Sequence, residues 1–181
     1  VYFILDQVSP GSPILPLLWL GFCASFAAAN ADTWATELGV LNPRLPVLVS
    51  TFKRVPQGTS GGVSQVGTLA ALAGSALVGG MAVLSDLAGW APASSLPMWA
   101  QFLAITGAGL LGSFVDSYLG ATVQAVYTCP VCDKETERHP VHVCGTPTVI
   151  KRGWPWLSND WVNTACTLSG GLLGFLIGFL A

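Results

Sequence analysis

Charge is scarce in this chain. Only 9% of its 181 residues are Asp, Glu, Lys or Arg, which excludes a molecule that keeps its whole surface in water. Seven basic residues against nine acidic ones leave a net charge of −2, and a basic nucleic-acid-binding face is excluded with them. No Lys or Arg precedes Arg44, so the start of the chain has no basic n-region and does not read as a signal peptide. No Gly-Lys-Ser or Gly-Lys-Thr occurs, which excludes a phosphate-binding P-loop. The first residue is Val1 rather than Met, which points to further protein upstream.

What is present is mostly apolar. Hydrophobic residues make up 52% of the chain, glycines number 21, and the mean hydropathy is +0.62. Apolar runs cover Ile14 to Ala31, Val63 to Leu84, Pro97 to Val115 and Trp161 to Ala181. Each is near the roughly 20 residues that a bilayer-crossing helix needs. The fold class expected is an all-α integral membrane protein of about four transmembrane helices, forming a single polytopic domain over residues 1–181. A small cytosolic zinc-ribbon-like insertion is expected over 128–152.

The basic residues orient it. Arg44, Lys53 and Arg54 fall between the first and second runs, and Lys134, Arg138, Lys151 and Arg152 between the third and fourth. Short loops rich in Lys and Arg stay on the cytoplasmic side. Both of these loops are therefore expected inside and both chain ends outside, in a bacterial inner membrane or a comparable one.

The few acids then become informative. The first run continues without a breaker through ADTWATELG to Gly39, carrying Asp32 and Glu37 to the inner interface. Asp116, in GSFVDSYLGATVQ, lies about 18 residues, or roughly 27 Å, along the third helix and reaches the same face. The fourth opens with SNDWVN, placing Asn159, Asp160 and Asn163 there as well. Such an oxygen-rich set suits Mg²⁺, which takes one or two carboxylates, waters and substrate phosphates. Each residue also has a simpler role available, as a helix N-cap or as an interfacial group reaching water.

The loop PQGTSGGVS supplies the complementary chemistry. Gly58, Gly61 and Gly62 free backbone N–H groups for an anion, Thr59, Ser60 and Ser64 offer hydroxyls, and a helix N-terminus follows. Lys53 stands just ahead of it. An ordinary flexible turn has the same composition. The fingerprint-like GAGLLG at 107 to 112 has no strand before it and lies in mid-membrane, so it is no dinucleotide site. Small residues at four-residue spacing, Gly170, Gly174 and Gly178 along the fourth run and Ala71, Ser75 and Gly79 along the second, read as close-packing faces.

A separate element is CPVCDKETERHPVHVCG. Cys129 and Cys132 form a C-x2-C knuckle, and His142 with Cys144 makes a second close pair, with His139 to spare. Four such ligands suit tetrahedral, closed, structural Zn²⁺.

In order, ADTWATELG, TFKRVPQGTSGGVS, LGSFVDSYLGATVQ and NDWVN resemble the integral-membrane family that includes transmembrane protein 19 and the plant chloroplast phytyl-phosphate kinase. The resemblance runs from about Ala29 to Asn163. Members of that family usually carry further N-terminal helices with a motif of their own, which this chain lacks, and the zinc-ribbon-like insertion is not general to them.

The resemblance implies a kinase that moves a phosphoryl group from a nucleoside triphosphate, CTP or ATP, to an isoprenoid monophosphate such as phytyl phosphate. It would bind Asp32, Asp116 and Asp160 to Mg²⁺, with Glu37 as ligand or neighbour. Lys53 and Gly58 to Gly62 would hold phosphates, and Asn159 and Asn163 would position them. A CTP-dependent lipid cytidylyltransferase would use the same pocket. A membrane transporter is the other alternative, and it would want polar residues through the depth of the membrane rather than at one face.

Overall fold

The computed structural model describes residues 7–9 and 11–181; Val1–Asp6 and Pro10, in the segment ahead of the first apolar run, lie outside the described residues. Among the described residues, four helices are long and apolar enough to cross a membrane: α1 (Leu15–Gly39), α2 (Gln65–Leu87), α3 (Met98–Thr122) and α4 (Asn159–Leu180). At 22 to 25 residues they run about 33 to 38 Å, enough for a hydrocarbon core of roughly 30 Å.

Helix α1 is the hub, packed against α2, α3 and α4, while α3 also packs against α2 and α4. Its contact face is alanine: Ala24, Ala27, Ala28 and Ala31 are fully buried. Many bulky side chains point the other way, with Phe22, Phe26, Leu69, Leu77, Leu103, Leu172 and Phe179 exposed, while Leu15, Leu20, Ile105 and Val162 are buried. This is the reverse of a water-soluble protein. Where the solvent is hydrocarbon, burial of leucine against helix gains little, and close backbone approach between small residues supplies the dispersion contacts instead.

Glycines on α3 and α4 complete that face. A Cβ at Gly170 would stand 2.7 Å from Ala28 Cβ and 2.9 Å from Ala24 O, and one at Gly112 would stand 2.7 Å from the same Ala28 Cβ. The fingerprint-like stretch is therefore packing surface within α3. Two polar side chains in the bundle are paired across helices. Ser75 Oγ donates to Thr106 O at 2.8 Å, and Asn30 Nδ2 donates to Gly74 O at 2.8 Å. At the α2–α3 link, Gln101 Nε2 donates to Asp86 Oδ2 at 3.1 Å and to Leu96 O at 3.0 Å.

At the opposite end the two basic loops lie together. Between α1 and α2, β1 (Val47–Leu48) pairs antiparallel with β2 (Gly62–Val63). Between α3 and α4, β3 (Val126–Cys129), β4 (Lys134–Thr136) and β5 (Val149–Arg152) form a sheet in the order β4–β3–β5. The register places Cys129 opposite Lys134 and Thr128 opposite Glu135. The last turn of α1, the first of α2, the last of α3 and the first of α4 all open onto this end.

Candidate functional site

A cavity of about 520 Å³ occupies that end, bounded by all four helices, the glycine loop and the edge of the ribbon. Asp32, Thr36 and Glu37 line it from α1, Ser113, Asp116 and Ser117 from α3, and Asn159 and Asn163 from α4. Residues Gly58 to Ser64 close one side. Glu135, Thr136 and Glu137 close another from the ribbon.

Its electrostatics are one-sided. Among the described residues, five carboxylates line the cavity, those of Asp32, Glu37, Asp116, Glu135 and Glu137, and no Lys or Arg does. Of these, Glu135 alone is paired with a cation among the described residues, Lys151 Nζ at 2.6 Å. Asp32, Asp116 and Glu137 are close enough for their charges to interact. Asp116 Oδ2 is buried without a hydrogen-bond partner among the described residues. An orphaned carboxylate oxygen facing two further carboxylates is what a hard, oxygen-seeking cation satisfies, so the donor set fits Mg²⁺.

Two of the expected site residues stand apart from it. Asp160 is exposed and lies outside the cavity, because α4 begins at Asn159 and the i, i+4 pair that faces inward is Asn159 with Asn163. Its carboxylate sits in the first turn, where the helix dipole favours an acid without any ligand. Lys53 is exposed beyond β1, on the outer end of the hairpin, and also lies outside the cavity. Asp32 and Glu37, five residues apart, both reach the cavity because it wraps around the end of α1.

The glycine loop is held at three points. Ser64 caps α2, accepting from Gly67 N at 3.0 Å. Ser60 Oγ donates to Gln124 Oε1 at 3.0 Å, and Arg152 donates from Nη1 to Gly120 O at 2.9 Å and from Nη2 to Ser60 O at 3.2 Å. Gly61 has φ +81° and lies so close to Ala121 that a Cβ there would meet its backbone. With the hydroxyls of Ser60 and Ser64 engaged in structure, the N–H groups of Gly58, Ser60 and Gly61, like those of Gln57 and Ser64, are left without a partner among the described residues.

The ribbon carries a second polar cluster. Ligand atoms of Cys129, Cys132, His142 and Cys144 all lie within 4.8 Å of one another. Cys129 Sγ is 3.6 Å from Cys144 Sγ, near the roughly 3.8 Å edge of a tetrahedron with Zn–S bonds of about 2.3 Å. These four residues can hold a metal such as zinc. Hydrogen bonds with Thr146 and His142 hold the Cys144 thiol down to about 5, and hydrogen bonds with Cys144 and Cys129 push Cys132 up to about 11. His139 is not part of the set; its ring stacks on Tyr127 with centroids 4.5 Å apart.

Sequence reasoning missed Gln124, Glu137 and Arg152 as parts of this site. Gln124 closes the quoted stretch GATVQ, and nothing in the spacing of the ribbon shows that Glu137 turns toward the helices.

The family model described as Integral membrane protein DUF92 matches residues 1–171. The chain is 43% identical over 159 residues to Protein PGR of Arabidopsis thaliana, covering 86% of this chain and 53% of that protein. It is 30% identical over 160 residues to an uncharacterized membrane protein of Methanocaldococcus jannaschii, covering 87% of this chain and 50% of that one. It is 29% identical over 171 residues to Protein VTE6, chloroplastic, of Arabidopsis thaliana, covering 92% and 40% respectively. The chain thus spans about half the length, or less, of these curated relatives. No solved structure matches it.

Proposed function

Since this chain belongs to the DUF92 integral membrane family, we propose that its four-helix cavity is the phosphoryl-transfer site of a prenyl-phosphate kinase. The reaction takes the γ-phosphoryl group of CTP or ATP to an isoprenoid monophosphate such as phytyl phosphate. The observation that carries this reading is the all-acidic cavity facing a glycine loop with unpartnered N–H groups. An anionic substrate enters a space lined by carboxylates only together with cations, and a site built that way suits phosphates that arrive with metal. Similarity to Protein VTE6, chloroplastic, supports the same class.

In this reading Asp32 and Asp116, with Glu37 beside them, would hold Mg²⁺, which would supply neutralisation of the phosphate charge. The N–H groups of Gly58, Ser60 and Gly61, with the Thr59 hydroxyl, bind the non-transferred phosphates. Asn159 and Asn163 donate to the acceptor phosphate from α4. That phosphate is already an anion: its terminal oxygen forms the new P–O bond as the β–γ bridging bond breaks and the nucleoside diphosphate leaves, and no strong base is needed. The prenyl tail lies among the apolar helices. In this reading the face lies on the cytoplasmic side of a bacterial inner membrane or a comparable one, an orientation that the two basic loops support.

The test is incubation of purified protein with Mg²⁺, γ-labelled CTP or ATP and a panel of prenyl monophosphates, beside Asp116→Asn. Label passing to lipid with wild type alone supports the kinase. Release of label as pyrophosphate, with the nucleotide joined to lipid, identifies a cytidylyltransferase instead, and label in neither product removes both.

A further inference from the structure

We propose that Glu137, carried to the cavity by the metal-binding ribbon, is a further cation-binding residue of this site, and that Gln124 is the residue that positions it. This rests on the cavity being a divalent-cation site.

Gln124 follows the C-terminus of α3 and is only 1% exposed. A buried amide must pair both its ends, and here each end has one partner. Oε1 accepts from Ser60 Oγ of the glycine loop, so Nε2 is turned to donate to Glu137 Oε1, at 2.7 Å. One oxygen of the Glu137 carboxylate is thereby fixed by a neutral donor that leaves its charge intact. The other remains for a ligand. Had the role of Glu137 been merely to hold the ribbon down, a cationic partner would do so better, and its neighbour two residues back has one: Glu135 is paired with Lys151.

The ribbon has the means to place this residue repeatably. Glu137 directly follows β4, whose pairing with β3 aligns Lys134 with Cys129, one of the four clustered ligands. Glu135, in β4, and Glu137, just beyond it, both line the cavity, with Thr136 between them. Arg152, on the other edge strand, ties the sheet to Gly120 and Ser60. One edge of the ribbon is thus bonded directly to the glycine loop and the other is joined to it through Gln124, and the acid it brings adds to Asp32 and Asp116 in lining the cavity.

Mn²⁺ serves as the probe, because its binding is read without any substrate or turnover. The full chain in lipid nanodiscs is titrated with Mn²⁺ by electron paramagnetic resonance as wild type, Glu137→Gln, Gln124→Ala and Asp160→Asn, with the zinc content of each measured alongside. Glu137→Gln and Gln124→Ala are expected to weaken Mn²⁺ binding by about tenfold or more at unchanged zinc content, as loss of a ligand or of its orienting partner does. Asp160→Asn, an acid of the same membrane face outside the cavity, is expected to stay within about twofold, as removal of a screened surface charge does. Mn²⁺ affinity in Glu137→Gln equal to wild type, or weakened no more than in Asp160→Asn, overturns the role of Glu137. Wild type that binds no Mn²⁺ overturns the cation site itself.

Discussion

Gln124 Nε2 donates to Glu137 Oε1 at 2.7 Å, joining the buried end of a membrane helix to an acid on the ribbon outside it. The same amide accepts from Ser60 at 3.0 Å, so a single side chain fixes the separation of the glycine loop, the end of α3 and the ribbon.

Replacing Gln124 by Leu removes both bonds and leaves the Ser60 hydroxyl and the Glu137 carboxylate without that partner. The expected loss is about 1–3 kcal/mol, measured as a lower midpoint of thermal unfolding in detergent without divalent cation. Gln124→Glu is expected to be worse than Gln124→Leu, because it sets a second carboxylate against Glu137.

Asp116→Asn separates stability from function. It removes one of three mutually repelling charges and keeps the shape of the side chain, so the cation-free protein is expected to unfold at the same temperature as wild type or a higher one. The added stability that Mn²⁺ or Mg²⁺ confers on wild type is expected to vanish. Unfolding scans with and without the ion give both quantities.

Gly58 and Gly61 have nearly the same backbone angle, φ +80° and +81°, and opposite surroundings. Alanine at either position is strained by about 1 kcal/mol or more. At Gly58 nothing lies within 4 Å, whereas at Gly61 the new methyl meets the Ala121 backbone, so Gly61→Ala is expected to lose clearly more stability and to push the loop off α3. Paired unfolding midpoints check the order.

A Cβ at Gly107 meets nothing within 4 Å, while one at Gly170 meets Ala28 and Ala24. Gly107→Ala is expected to be neutral or to stabilise by up to about 1 kcal/mol through helix propensity. Gly170→Leu is expected to part α4 from α1, seen as aggregation or loss of the folded peak in size-exclusion chromatography.

The cysteine cluster makes a quantitative prediction about metal. Protein purified without chelator is expected to carry one equivalent of zinc and Cys144→Ser much less. Elemental analysis of wild type finding under about half an equivalent argues against four closed ligands.

The sequence by itself determined the helices and their common face. Hydrocarbon solvent demands long apolar runs, and the clustering of Lys and Arg in two loops follows from how such runs insert, so both are written in residue order. The spacing of Cys129, Cys132, His142 and Cys144 was legible for the same reason: their ligand geometry is mostly local. Which polar residues share one cavity was not legible. Rotation of α4 by a single residue decides between Asp160 and Asn159, and that rotation is fixed by Gly170 and Gly174 seated on the alanines of α1, far down the helix. The arrival of Glu137 in the same cavity as Asp32 and Asp116 depends on the sheet packing back onto the end of α3 and on Gln124 finding Ser60, 64 residues away. Tertiary structure alone decided it, because packing between elements, and not the pattern within any one of them, sets where those side chains end.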